Sequence, residues 1–352
     1  MKKVLVFLFT FLFYSHAFAG SINEIVFFGD SLTDDGNLLS VLRVVPKSPP
    51  YYKGRFSNGI TWAEHVGNYF YDKNYIRYSN YAYGGATAIL HHLRTDPFIA
   101  PIILPAELDA YFLREPFKDK SKVLYGIWIG ANDYLYERKE NLEELTQDVV
   151  DNIVWSVNTL IEKGGENFLI LNLPDLAQTP YARAHNSTER LGIISMMHNT
   201  KLANAVMDLR AKHPGVNIVY FDIYAIFVDM LKNPDAYNLK YGTHVTDTTD
   251  VCWAGTVLGA NQAHLNNELR TALQGKISLL DKTIDTETMS RTILSSPSLA
   301  SAYSIGKSYE DGREPCNNAD AHVFWDDLHP TAIIHRILGQ IIVETVEKQL
   351  IR

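Results

Sequence analysis

Apolar positions along the chain fall into two alternating rhythms. Short apolar runs at residues 25–28, 123–129, 168–171 and 216–221 predict strands, and residues 75–81 predict a further one. Between them the spacing becomes helical. Residues 61–70 place Trp62, Val66 and Tyr69 on one side, and residues 141–163 form a long amphipathic stretch ending at Gly164-Gly165. Residues 190–212 predict a third helix. Residues 331–349 predict a terminal one, with Ile334, Leu338, Ile341, Ile342 and Thr345 along one face and Ile333, Ile337 and Val346 widening it. Strands alternating with helices in this way imply a parallel sheet covered on both faces.

Elsewhere the rhythm breaks. Residues 41–52 are rich in Pro and Tyr and read as loop, followed by a polar turn at residues 54–59. Residues 97–104 are apolar but carry Pro97 and Pro101, and are expected to pack in the core rather than to line an acyl pocket. The pattern weakens between Cys252 and Cys316. Within it, residues 295–308 are rich in Ser, Ala and Gly and read as an exposed, flexible segment. The stretch 252–316 is therefore expected to be an insertion into one α/β unit rather than a second core. No internal repeat is visible.

The first residues stand apart from this scheme. Lys2 and Lys3, an apolar run over residues 4–14 and Ala17-Phe18-Ala19 have the basic, apolar and small-x-small parts of a secretory signal peptide. Residues 1–19 are expected to be removed, leaving residues 20–352 as a secreted chain in the periplasm or outside the cell. In such a compartment the only two cysteines, Cys252 and Cys316, read most simply as one disulfide, with two separate buried thiols as the alternative. Hydrophobic residues at 46% leave room for a sizeable core. A formal net charge of -8, with no basic cluster, argues against a nucleic-acid partner.

Four turns at predicted strand ends carry complementary chemistry. Gly29-Asp30-Ser31-Leu32 places a serine at the carboxyl edge of the sheet, where open α/β folds bind ligands. A serine is a poor nucleophile until a base takes its proton, and His329 can be that base, with Asp326 three residues earlier to orient it. An oxyanion needs donors aimed at it. The backbone N–H of Gly85 and the amide of Asn132 suit that task. Taken singly, Ser31, Asp133 and Asp326 also fit ordinary turns or caps. The acidic run Asp30, Asp34 and Asp35 does not assemble a metal site by itself, and no metal is expected.

Together the blocks Gly29-Asp30-Ser31-Leu32, Asn80 through Gly85, Gly130-Ala131-Asn132-Asp133 and Asp326-Asp327-Leu328-His329-Pro330 resemble the GDSL, or SGNH, esterase and lipase family. The resemblance implies a three-layer α/β/α, flavodoxin-like fold. It implies a catalytic set of Ser31, Asp326 and His329, an oxyanion hole of Ser31, Gly85 and Asn132, and no cofactor. The insertion looks like those of bacterial secreted phospholipases and lysophospholipases related to glycerophospholipid:cholesterol acyltransferase. That likeness implies a lipid substrate at a membrane or micelle surface, with water or a sterol as acyl acceptor. An activating protease is expected as a further partner on separate grounds, because the small-residue tract is a preferred cut site and the Cys252–Cys316 bond would hold both fragments. A carbohydrate O-acetylesterase and a non-catalytic secreted binding protein on the same scaffold are the alternatives.

Overall fold

The computed structural model describes residues 22–91, 102–136, 141–253, 262–274 and 286–351. The expected signal peptide, 1–19, and residues 97–101 of the two-proline stretch lie outside the described residues. In chain order, β1 (Glu24–Gly29) leads through α1 (Asn37–Leu42) and α2 (Trp62–Asn74) to β2 (Arg77–Asn80). Then come α3 (Leu104–Arg114), β3 (Val123–Trp128), α4 (Ala131–Tyr136), α5 (Leu142–Glu162) and β4 (Asn167–Leu171). They are followed by α6 (Pro180–Ala184), α7 (Thr188–Lys212) and β5 (Asn217–Phe221). Beyond the sheet lie α8 (Ile223–Lys232), α9 (Pro234–Tyr241) and β6 (Asp247–Val251), and then α10 (Gln262–Gln274), α11 (Thr286–Ser295) and α12 (Pro297–Glu310). The chain closes with β7 (His322–Phe324) and α13 (Ala332–Gln349).

The sheet is parallel throughout, in the order β2-β1-β3-β4-β5. This is the flavodoxin-like order of a doubly wound fold. The inner strands β1, β3 and β4 are buried on both faces because each face carries a helical layer, whereas β2 at the edge is polar and half-exposed. Val26 and Phe28 of β1 join Tyr125 and Ile127 of β3 and Phe168 and Ile170 of β4 on the side of α3, α5 and α7. Ile25 and Phe27, with Leu124, Trp128, Leu169 and Leu171, face α2, α8 and α13. The result is the α/β/α sandwich that the alternation implied. The two short strands β6 and β7 pair with each other, apart from the main sheet.

Cys252 and Cys316 form a disulfide. One expectation about the segment they bound is corrected. Residues 295–308 are not an exposed, flexible tract. Most of them form α12, and Leu299, Ala302 and Ile305 are fully buried there. Ser296 caps the helix by accepting from Leu299 N–H. Small residues are what a helix needs to sit close against other backbone, so a composition that suggested slack reflects tight packing instead. α12 joins Leu38, Val45, Tyr51, Phe56, Trp253 and Trp325 in a third hydrophobic cluster, over the end of the sheet that carries the Ser31 turn.

The disulfide ties this cluster to the rest of the chain by closing a loop with a sequence separation of 64. Replacing both cysteines with serine is expected to lower stability by up to ~4 kcal/mol, the chain-entropy value for such a loop. Thermal unfolding of the double variant under non-reducing conditions checks this.

Candidate active site

In this strand order the chain leaves β1 toward β2 on one side and β3 on the other. The crevice between the carboxyl ends of β1 and β3 is the natural ligand site. Ser31 follows β1 and Asn132 follows β3, so both lie there. The Ser31 turn is tight. Asp30 accepts the N–H groups of Thr33 and Asp34 on its carbonyl at 2.9 Å and that of Leu32 on its carboxylate at 3.0 Å. Gly29 must be glycine, because a Cβ there would stand 2.3 Å from the carbonyl oxygen of Trp128. Its N–H donates to Glu107 Oε2 of α3 at 2.9 Å.

The loop after β7 brings in the base. His329 Nε2 lies 2.8 Å from Ser31 Oγ, across a sequence separation of 298. His329 Nδ1 faces Asp326 at 2.8 Å from Oδ2 and 2.9 Å from Oδ1. Asp326 Oδ1 also accepts the backbone N–H groups of Leu328 and His329, at 2.9 and 2.7 Å. The Tyr51 hydroxyl donates to Oδ2 at 2.7 Å. The three residues Ser31, Asp326 and His329 are buried. Burial opposes the charge of Asp326, but His329, Tyr51 and the Leu328 N–H outweigh it and hold the carboxyl below its ordinary range. Burial likewise opposes an imidazolium at His329, but Asp326 foremost, then Asp327 and Asp30, raise its pKa above 6.5.

Asn132 begins the first turn of α4, and its amide has two partners. Nδ2 donates to the carbonyl of Ala86 at 2.9 Å, and Oδ1 accepts from Ser298 Oγ of α12 at 3.0 Å. The first contact ties Asn132 to the turn carrying Gly85 and leaves one of its two amide hydrogens free of that bond. Gly85 adopts φ +78°, and a Cβ there would strike Leu299 at 2.9 Å. Among the described residues no acceptor takes the N–H of Ser31 or of Gly85. The loops are pinned by further buried carboxylates. Asp34 accepts the N–H groups of Gly36, Asn37, Leu38 and Gly84, which joins the Ser31 turn to the Gly85 turn. Asp133 accepts those of Ala88 and Ile89.

A narrow cavity of about 60 Å³ opens beside this set, lined by Ser31, Asn132 and His329. Its far walls are apolar and come from α8 and α13, with Ile223, Phe227, Ile334 and Leu338. Gly85 is not part of its lining. The structure thus joins Ser31, His329 and Asp326 by hydrogen bonds, sets Asn132 in the same cavity, and places Gly85 one turn away, under α12.

Three contributors were not foreseen. Tyr51 lies in a stretch read only as loop, and Ser298 and Ser301 lie in the tract read as exposed. Ser301 Oγ donates to Asp327 at 2.7 Å, directly beside the Asp326 turn. Single serines and tyrosines carry no spacing signal, so only the packing of α12 and of residues 51–56 reveals them.

A parallel α/β/α fold with a hydrogen-bonded serine, histidine and aspartate at its carboxyl edge defines a serine hydrolase of the SGNH type. Residues 25–342 match the GDSL-like Lipase/Acylhydrolase family, and the chain belongs to that family of ester hydrolases. It is 30% identical to the phosphatidylcholine-sterol acyltransferase of Aeromonas hydrophila over 94% of this chain and 91% of that one. It is 29% identical to the secreted effector protein SseJ of Salmonella typhimurium over 64% of this chain, and spans about half, 52%, of that relative. Among solved structures, the native aryl esterase of M. smegmatis superposes with a TM-score of 0.44 at 13% identity, over 93% of this chain and 100% of that one.

The geometry sets the sign of one titration. His329 should remain protonated to a higher pH than an ordinary histidine of pKa 6.5. In Asp326→Asn the largest raising charge is gone while burial remains, so the imidazole should titrate at lower pH than in the native protein. NMR titration of the His329 ring in the two proteins measures both values.

Proposed function

We propose that this chain is an exported serine esterase that hydrolyses acyl esters of phospholipids and lysophospholipids. The observation that carries this reading is the cavity beside Ser31 and His329, whose inner walls are hydrocarbon. An apolar slot next to a nucleophile suits the first carbons of an acyl chain, with the rest of the lipid at the mouth. Ser31 Oγ attacks the ester carbonyl as His329 Nε2 takes its proton, and Asp326 stabilises the imidazolium. The oxyanion is held by the N–H groups of Ser31 and Gly85 and by the free amide hydrogen of Asn132. His329 then protonates the departing alcohol and activates water to release the acyl group. This sequence of steps needs no cofactor.

The relative named as a phosphatidylcholine-sterol acyltransferase supports a sterol as a second acyl acceptor. The relative named as a secreted effector supports export, with residues 1–19 as the leader and residues 20–352 as the working unit. α12 lies over Asn132 and Gly85, so a protease acting between Cys252 and Cys316 would change access to the site. A second reading, a carbohydrate O-acetylesterase, is favoured by the small volume of the cavity, which suits an acetyl group.

Two measurements test the reading. Ser31→Ala should abolish turnover in a folded protein, and Asn132→Ala should lower kcat by roughly 100- to 1000-fold with less change in KM. Near-normal turnover by folded Ser31→Ala removes the mechanism.

Acyl nitrophenyl esters of increasing length, run beside lysophosphatidylcholine, separate the substrates. The lipid reading expects better turnover of longer chains than of acetate, and release of fatty acid from the lysolipid. Leu338→Trp, which narrows the slot, should depress longer chains and spare acetate. Activity confined to acetate supports the carbohydrate reading instead.

A further inference from the structure

Residues 51–58 form a strap across the loop that carries the base. Tyr51 donates to Asp326 Oδ2 at 2.7 Å. The Phe56 ring lies against the His329 ring, with centroids 5.1 Å apart. Ser57 Oγ donates to the carbonyl of Pro330 at 2.9 Å, and Asn58 Oδ1 accepts the N–H of Ala332 at 2.7 Å. The strap is itself anchored. Arg55 forks onto Glu64 of α2, with Nε at 3.1 Å from Oε2 and Nη2 at 2.5 Å from Oε1, and its Nη1 donates to the carbonyl of Lys53 at 2.8 Å. Tyr51 and Phe56 also belong to the cluster that seats α12.

From this geometry we propose that Tyr51 is a positioning residue for the reaction, acting through Asp326. A carboxylate can pivot about its Cβ–Cγ bond. Oδ1 is fixed by the two N–H groups of its own turn, and the Tyr51 hydroxyl fixes Oδ2, so that the carboxylate plane stays aligned with His329 Nδ1. The same bond disperses the charge of Asp326. Its loss leaves more negative charge facing the imidazolium, which should then hold its proton to higher pH. The other ionisable groups facing His329 are Asp327, Asp30 and His335, and a change at Tyr51 leaves them in place. This inference rests on Ser31 and His329 being the reacting pair.

The test is Tyr51→Phe, which keeps the ring and removes only the hydroxyl. With Ser31→Ala as the control for the reaction itself, Tyr51→Phe should lower kcat about tenfold, an effect on the scale of one charge-assisted hydrogen bond. KM for a short ester should hold, and the acid limb of the kcat profile should move to higher pH. The double variant with Asp326→Asn should be no slower than Asp326→Asn alone. Unchanged kcat and acid limb in Tyr51→Phe overturn the proposal. So does a kcat loss of the same size in the presence and absence of Asp326, because that is a structural effect. If Ser31→Ala keeps its activity, the reading beneath the proposal fails instead.

Discussion

A serine hydroxyl becomes a nucleophile only where an imidazole nitrogen stands within reach of its proton. On the proposed mechanism, the 2.8 Å contact between Ser31 and His329 is therefore the constraint that organises the site. Meeting it requires irregular loops to hold position to a few tenths of an ångström. The fold does this with buried carboxylates that accept backbone N–H groups. Glu107 holds the start of the Ser31 turn, Asp34 joins that turn to the Gly85 turn, Asp133 holds the chain that follows, and Asp326 shapes the base loop. Burying these groups is costly. Burial drives the Asp34 carboxyl up to about 7 against four N–H donors that pull it down, and it drives Glu107 well above its ordinary range. Hydrogen bonds from backbone N–H groups offset part of that cost and convert soft loops into fixed ones.

Much of this was legible in the residues. The central strands were readable because hydrocarbon on both faces leaves an unbroken apolar run, as in Ile25 to Phe28. The Asp326 to His329 turn was readable because its chemistry lies within three residues. What was hidden depends on contacts across long separations. Glu107 is an ordinary helical glutamate until the fold sets it under Gly29. Tyr51 reaches Asp326 across 275 positions, and no local spacing announces that. The α12 tract misled for a different reason. Serine, alanine and glycine favour both exposed loops and close helix contacts, and only the acceptors waiting at Asn132 and Asp327 select the second.

The segment bounded by Cys252 and Cys316 is thus part of the site's construction. Its helix α12 meets the Asn132 turn through Ser298, the Gly85 turn through Leu299 and the base loop through Ser301. The same hydrophobic cluster contains Tyr51 and Phe56, which touch the base loop from the other side. Substitutions in the insertion and in the strap therefore share a packing unit, and their effects on the site should not be treated as independent.

Ser31 and His329 lie 298 positions apart in the chain, and this has a consequence for the order of synthesis. A polypeptide made from its amino terminus displays Ser31 long before His329. The Ser31 turn and all five strands of the main sheet precede the His329 loop in the chain. A chain cut short before the β7 loop carries Ser31 but neither Asp326 nor His329, and it also lacks α13, which covers one face of the sheet. Ester chemistry by the proposed pair therefore waits for the β7 loop, however early the sheet has formed.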